Sequence, residues 1–296
     1  MKMKYYYELT KSGLIFGNLI TVIAGFLLGT RISQGFGGGI SINLRLFLAT
    51  LVGIFLVMAS GCVFNNYIDR NIDAKMERTK HRALVKGHVS ARAALIFAGA
   101  LGVAGFLILV VFTNTFATIA ALIGFVFYVF VYSMWGKRHT VYGTFIGAIS
   151  GAMPSVVGYT AASGRIDMTA LIVFLIMLTW QMPHFFAIAI RREDDYAAAK
   201  IPVMPVKYGI HRTKFSMLIY IVEFIIATSL LFIFGYAGRV YFAIALILGI
   251  AWITFGVRGF LIFTASANRQ WARQMFFLSL IVMVVLFITI AVGAIV

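Results

Sequence analysis

The sequence has 296 residues, of which 62% are hydrophobic and 11% charged, with a formal net charge of +16. Soluble globular domains are about half apolar and about one quarter charged, so this composition excludes a soluble protein and predicts an integral membrane protein. Such a basic balance would suggest nucleic acid as the partner of a soluble protein. In a membrane protein, the basic residues instead indicate which loops face the cytoplasm. We therefore expect no nucleic-acid partner.

Nine apolar stretches are long enough to cross about 30 Å of hydrocarbon as α-helices. They lie at 13–30, 44–66, 93–112, 115–135, 142–162, 168–190, 215–235, 239–258 and 274–295. We therefore predict a single all-α membrane domain over residues 1–296. Its two longest inner loops, 66–92 and 191–214, are predicted to be cytoplasmic and to carry the active-site motifs.

The basic residues predict which side of the membrane each loop faces. With the N-terminus inside, all but four of the 25 Lys and Arg residues fall in inner segments. The outer four are Arg31, Arg45, Arg165 and Arg239. By the positive-inside rule we expect a cytoplasmic N-terminus and a periplasmic C-terminus, as in a multi-pass protein of a bacterial inner membrane.

Six of the nine acidic residues lie in the two long inner loops, each of which follows an even-numbered span. Four spans separate the two acidic groups. This spacing is expected if spans one to four and five to eight are parallel structural repeats around a central cavity, with the ninth span appended. The two groups are Asp69, Asp73 and Glu77, and Glu193, Asp194 and Asp195.

Asn65, Asp69 and Asp73 follow one another at a four-residue stride in F-N-N-Y-I-D-R-N-I-D, at the end of the second span. On an α-helix they would form a strip about 12 Å long on one face. Two carboxylates at this spacing repel each other, and the macrodipole at a helix C-terminus also opposes them. A divalent cation removes that penalty, and Mg²⁺ prefers one or two carboxylates together with phosphate oxygens. The strip therefore predicts a Mg²⁺ site and a phosphorylated substrate.

Basic residues follow the strip in D-A-K-M-E-R-T-K-H-R-A-L-V-K-G. Arginine grips phosphate oxygens bidentately and lysine acts as a point charge, so both stabilise charge on a departing diphosphate. We expect Arg78, Arg82 and Lys86 to bind diphosphate. The alternative for each is a role in membrane orientation alone.

The pattern N-x-x-x-D-x-x-x-D, followed by R-T-x-x-R-x-L, resembles the first aspartate-rich motif of the UbiA family of intramembrane prenyltransferases. Further segments extend the resemblance over nearly the whole chain and are similar to the branch of the family that prenylates haem b. They are W-Q-M-P-H-F at 180–185, D-Y-x-x-A-x-x-P-V-M-P-V at 195–206 and G-A-M-P-S-V-V-G-Y at 151–159. The resemblance implies nine helices around a lipid-accessible cavity, with farnesyl diphosphate held by Mg²⁺ at its inner rim.

The resemblance also implies a second acidic motif, in which Asp195 is a further catalytic residue and metal ligand. A second D-x-x-x-D would need aspartate at position 191, where this chain has Arg191. The expected number of Mg²⁺ ions is therefore one or two. The residues of this segment expected to contact diphosphate directly are Arg191, Arg192, Lys200 and Lys207.

Three residues of the second half are candidates for binding haem. His184 lies near the inner end of the sixth span, and imidazole is a common axial ligand of haem iron. An interhelical hydrogen bond would explain a histidine at this position equally well. Trp180 and Tyr196 are the other two candidates.

The reaction implied by the resemblance is transfer of a farnesyl group to a vinyl group of haem b with addition of water, giving haem O and diphosphate. Proteins of haem A synthesis or of haem-copper oxidase assembly are then the expected protein partners. Two alternatives are a UbiA-type enzyme acting on an aromatic quinone precursor and a membrane transporter. The transporter is disfavoured because six of the nine acids lie at the inner rim and not near the membrane midplane.

Overall fold

The computed structural model describes residues 2–36 and 39–295, and most of these residues are helical. Met1, Gly37, Gly38 and Val296, which fall within the predicted domain 1–296, lie outside this description. The helices are α1 Lys2–Thr10, α2 Ser12–Gln34, α3 Leu44–Asp73, α4 Ala91–Phe112, α5 Thr115–His139, α6 Gly143–Ser163, α7 Met168–Arg191, α8 Glu193–Ala198, α9 Met204–Ile233, α10 Arg239–Leu261 and α11 Ala265–Ile295.

Within the described ranges, nine helices are long and apolar enough to cross a membrane, and they are all of these except the short α1 and α8. This confirms the predicted all-α membrane architecture. The predicted boundaries differ most at three helices, because α3 continues to Asp73, α9 begins at Met204 and α11 begins at Ala265. Hydropathy marks only the part of a helix that is apolar, whereas backbone hydrogen bonding continues beyond it. The two loops predicted at 66–92 and 191–214 are therefore partly helical.

Side-chain caps fix where four of the spans begin. Asn43, Ser90, Asn114 and Asp167 each accept a hydrogen bond from a backbone N–H in the first turn of α3, α4, α5 and α7 respectively. A cap of this kind satisfies one of the amide groups that a helix start leaves without a partner. The short polar connections therefore also determine the helix boundaries.

Helices α2 and α6 pack closely on each other. A Cβ atom at Gly25 would lie 2.3 Å from the carbonyl oxygen of Ser155, and one at Gly158 would lie 2.1 Å from that of Val22. Only glycine lets the two backbones approach this closely, as is common between membrane helices. Helix α7 packs on α6, α9 and α11 and has the most buried of the nine spans.

Helix α5 contains a π-helical stretch, Phe127–Gly136. Its wider turn brings side chains four and five residues apart onto one face. Tyr128, Tyr132 and Lys137 line the interior of the bundle, and Ser133 is buried beside α3. Stretches of π-helix within α-helices are frequent at functional sites.

We expect Gly25→Val to destabilise the protein by about 1–3 kcal/mol, because the new side chain must push α2 and α6 apart. The control is Gly99→Val on α4, where an added Cβ meets nothing within 4 Å. Thermal unfolding in the same detergent, followed by circular dichroism, measures the difference. Equal unfolding temperatures for the two variants would contradict close packing at Gly25.

Candidate active site

The interior cavity lies between α2, α3, α5, α6, α7 and α11 and consists of two adjoining chambers. The polar chamber, of about 420 Å³, contains the charged side chains, and the apolar chamber, of about 320 Å³, lies deeper in the bundle. The residues that line both are Leu14, Tyr128, Gly147, Phe185 and Phe276. A molecule with an anionic head and a hydrocarbon tail could therefore occupy both chambers at once.

The strip on α3 lines the polar chamber. Asn65, Asp69 and Asp73 all face it, and their exposed fractions are 4%, 0% and 2%. The three side chains reach one chamber because α3 remains helical through Asp73, so the four-residue stride keeps them on one face. The structure thus brings together three of the four residues that the sequence predicts as metal ligands, Asp195 being the exception.

A hydrogen-bond network surrounds Asn65 and Asp69. Lys11 donates from Nζ to Asn65 Oδ1 at 2.6 Å. Asn65 Nδ2 donates to Asp69 Oδ2 and to Ser133 Oγ, both at 2.9 Å. Lys137 also donates to Asp69 Oδ2, at 2.6 Å. Hydrogen bonds to a charged group are the stronger ones, so this network offsets the cost of burying a carboxylate.

Asp73 is held by the loop that follows it. Arg82 Nη1 donates to Asp73 Oδ2 at 2.5 Å, and the Thr79 hydroxyl donates to the Asp73 backbone oxygen at 3.0 Å. The loop therefore folds back over the end of α3 and carries Arg78 as well as Arg82 into the wall of the polar chamber. Both arginines were predicted to bind diphosphate.

Lys11 and Lys137 are the chamber residues that sequence reasoning assigned only to membrane orientation. Lys11 separates α1 from α2 with left-handed backbone angles, φ 53° and ψ 45°. Desolvation, and after it the charge of Arg82, lowers the pKa of the Lys11 amino group to about 8. No motif near either lysine signals these contacts, because both depend on helices packing from distant parts of the chain.

Of the remaining residues predicted to bind metal or diphosphate, and of the haem candidate Tyr196, only some line the polar chamber. Arg191, Arg192 and Tyr196 line the polar chamber. Four predicted residues do not line it: Lys86, Lys200, Lys207 and Asp195. The three lysines are exposed, and the Asp195 carboxylate accepts a hydrogen bond from the backbone N–H of Glu77 at 3.2 Å.

His184 and Trp180 line the apolar chamber, where their rings stack with centroids 4.9 Å apart. Ser279 holds both, since Trp180 Nε1 donates to its backbone oxygen at 2.7 Å and His184 Nδ1 lies 2.7 Å from its Oγ. The Ser279 hydroxyl donates its one hydrogen to the Phe276 backbone oxygen at 2.6 Å. His184 therefore donates from Nδ1, which leaves the lone pair on Nε2. Tyr196, predicted with these two, lines the other chamber.

A bundle of membrane helices with a carboxylate-lined, strongly basic chamber beside an apolar one is the arrangement expected of an intramembrane enzyme that acts on a lipid diphosphate. The model of the UbiA prenyltransferase family matches residues 18–281. The chain belongs to the UbiA prenyltransferase family, as its motifs predict.

Relatives in sequence agree with this assignment. Protoheme IX farnesyltransferases of Yersinia pestis (strain Pestoides F) and Sodalis glossinidius (strain morsitans) are 51% and 50% identical to the chain. Each match runs over 281 residues and covers 95% of this chain and 91% of the relative.

Solved structures share the fold. A digeranylgeranylglyceryl phosphate synthase superimposes with a TM-score of 0.80 at 23% identity, covering 99% of both chains. A UbiA homologue from Archaeoglobus fulgidus, bound to GPP and Mg²⁺, superimposes with a TM-score of 0.59 at 17% identity, covering 94% of this chain and 99% of that one.

Arg82→Ala should weaken the binding of inorganic diphosphate in the presence of Mg²⁺ by about 10- to 100-fold, the effect of losing one charged hydrogen bond. Lys86→Ala, on the same loop but exposed, should change the affinity by less than about twofold. Isothermal titration calorimetry on the purified proteins compares the two. Equal losses would mean that the loop acts only through its total charge.

Proposed function

We propose that this protein transfers the farnesyl group of farnesyl diphosphate to a vinyl group of haem b with addition of water, giving haem O and diphosphate. The observation that carries the proposal is that the two chambers adjoin, with the strip on α3 lining one and His184 lining the other. The high identity to protoheme IX farnesyltransferases over nearly the whole chain supports haem b as the acceptor.

The donor set of the polar chamber fits Mg²⁺. Asn65, Asp69 and Asp73 present amide and carboxylate oxygens, the ligand type that this hard cation prefers, and all three are buried on one helix face. Bound there with diphosphate, Mg²⁺ would neutralise charge on the leaving group. The Archaeoglobus relative bound to GPP and Mg²⁺ supports a metal-dependent reaction with a prenyl diphosphate.

The chain's own cations stabilise the departing diphosphate. As the C1–O bond of the farnesyl group breaks, its electron pair leaves with diphosphate, and Arg82, Lys137 and Arg78 are in the chamber to stabilise that anion. The allylic cation left behind lies beside the aromatic rings at the junction, Tyr128, Phe185 and Phe276. Their π faces stabilise positive charge, and their bulk keeps water from the cation.

Carbon–carbon bond formation consumes the vinyl group of haem b. Its π electrons form the bond to C1 of the farnesyl cation, which moves the positive charge to the carbon next to the porphyrin. Water then adds to that carbon and loses one proton, which leaves a hydroxyl group on the product. The acceptor has no proton to lose before the first bond forms, so the farnesyl transfer itself needs no general base.

His184 and Trp180 are the haem-binding residues in this proposal. The free lone pair on His184 Nε2 suits an axial ligand of haem iron, while Trp180 offers a flat apolar surface beside it. Ser279 fixes the tautomer through its hydrogen bond to Nδ1. Outer hydrogen bonds of this kind orient a metal-binding histidine and raise its affinity.

The proposed location is a bacterial inner membrane, with the polar chamber on the cytoplasmic side. The support is the distribution of basic residues, which fall almost entirely at the end of the bundle that holds this chamber. The C-terminus would then be periplasmic. Proteins that convert haem O to haem A, or insert haem into oxidases, are the partners that would receive the product.

The reaction is tested by incubating membranes that contain the protein with farnesyl diphosphate, Mg²⁺ and either haem b or 4-hydroxybenzoate. Mass spectrometry should find farnesylated, hydrated haem. Asp69→Asn and Asp73→Asn should lower its rate by about 100-fold or more, because each removes charge from the donor site. Farnesylated 4-hydroxybenzoate without any haem product would contradict the proposed acceptor.

The haem site is tested by titrating the purified protein with haem b and following the Soret absorbance. His184→Ala should abolish the spectral shift of an imidazole-ligated haem, and Ser279→Ala should weaken haem affinity by about 10-fold. The control is His211→Ala, since His211 is exposed and lines neither chamber. An unchanged Soret shift in His184→Ala would exclude ligation by this residue.

A further inference from the structure

The carboxylates around the polar chamber lie on one wall only. All nine acidic residues fall in the ranges that the structure describes, and only Asp69 and Asp73 line either chamber. Both belong to α3. Mg²⁺ bound with phosphate typically uses one or two protein carboxylates, so this pair is sufficient for one ion.

None of the three acidic residues that follow α7 lines the polar chamber, and two of them bond to other residues. Asp195 accepts from the Glu77 backbone N–H, and its carboxylate lies 3.9 Å from Arg192. Asp194 is exposed and pairs with Arg269 at 2.8 Å. Within the described residues, no three carboxylate, imidazole or thiol groups come together as a metal-binding cluster.

Arginines occupy the wall of the chamber that the end of α7 forms. Arg191 and Arg192 both line it, at the position in the chain where the sequence has no second D-x-x-x-D. A second divalent cation bound beside these two guanidinium groups would be repelled by them. The same groups can bind phosphate oxygens bidentately without any metal.

We propose that the polar chamber binds a single divalent cation, at Asn65, Asp69 and Asp73, and that Arg191 and Arg192, at the end of α7, bind the diphosphate directly. Asp195 is then a positioning residue and not a metal ligand. Its bond to the Glu77 backbone joins the loop after α3 to α8 and holds the adjacent Arg78 at the chamber. The inference rests on the proposed diphosphate chemistry, but not on the identity of the acceptor.

The net charge of the polar chamber favours binding of one divalent cation over two. Two carboxylates face six cationic groups, so the chamber is strongly positive before any ligand binds. These groups are Lys11, Arg78, Arg82, Lys137, Arg191 and Arg192. Diphosphate brings about three negative charges, and one Mg²⁺ returns two positive ones. A second ion would add charge to a chamber that already has an excess of it.

Counting bound Mn²⁺ tests the proposal without relying on turnover. The purified full-length protein is saturated with farnesyl thiodiphosphate, a non-reacting analogue, and Mn²⁺ is measured by equilibrium dialysis and electron paramagnetic resonance. We expect one Mn²⁺ per chain, with no signal from a coupled Mn²⁺ pair. Asp195→Asn should keep that ion, whereas Asp73→Asn should weaken its binding by about 10-fold or more.

Two Mn²⁺ per chain in the unmodified protein, or loss of an ion in Asp195→Asn, would overturn the proposal. Arg191→Gln should still bind one Mn²⁺. Its affinity for the analogue should fall by about 10-fold or more, as expected for a lost charged hydrogen bond. The matched control Lys207→Gln, at an exposed lysine outside the chamber, should change its affinity by less than about twofold. Equal affinities for Arg191→Gln and Lys207→Gln would also overturn it.

These results are separable from the proposed reaction. Absence of farnesylated haem in the product assay would reject the acceptor, yet leave the Mn²⁺ count of the analogue complex unchanged. Circular dichroism melting of each variant identifies loss of folding, and Asp195→Asn and Asp73→Asn are compared only at temperatures where both remain folded.

Discussion

The rest of the site depends on one buried carboxylate, that of Asp69. Its exposed fraction is 0%, and removing an unpaired charge from water costs at least several kcal/mol. Asn65 and Lys137 both donate to its Oδ2, Arg138 lies 3.5 Å from its Oδ1, and Lys11 and Ser133 extend the network through Asn65. These partners come from the α1–α2 junction, α3 and α5, so the charge is stable only where three parts of the chain meet. The same requirement fixes the shape of the polar chamber.

The membrane supplies the second constraint. An allylic cation reacts with water unless water is excluded, and an apolar chamber surrounded by helices excludes it. The junction residues Tyr128, Phe185 and Phe276 line both the charged polar chamber and the apolar chamber. The π-helical stretch of α5 contributes here, because its wider turn lets Tyr128 line both chambers while Ser133 reaches Asn65. One irregular helix thus serves the anionic and the apolar ends together.

Local sequence predicts features that depend on neighbours in the chain. The nine spans follow from apolar length, and the common face of Asn65, Asp69 and Asp73 follows from helical periodicity. Contacts between distant segments carry no such signal, which is why Lys11 and Lys137 were assigned only to orientation. Nearness in sequence also misleads in loops, since Lys86 and Lys200 lie close to motif residues yet are exposed. Whether a loop residue faces the chamber depends on how the loop folds back, as Thr79 does on Asp73.

The cations of the polar chamber are already in position before a substrate arrives. Lys11, Lys137 and Arg82 each bond to an oxygen of the strip on α3, so their side chains are ordered by the fold itself. Ordering a long side chain costs about 1.5–2 kcal/mol of conformational entropy, and here folding has met that cost. An arriving diphosphate can therefore exchange partners with groups that are already fixed, and the preorganisation that stabilises the leaving anion is the same network that makes buried Asp69 tolerable.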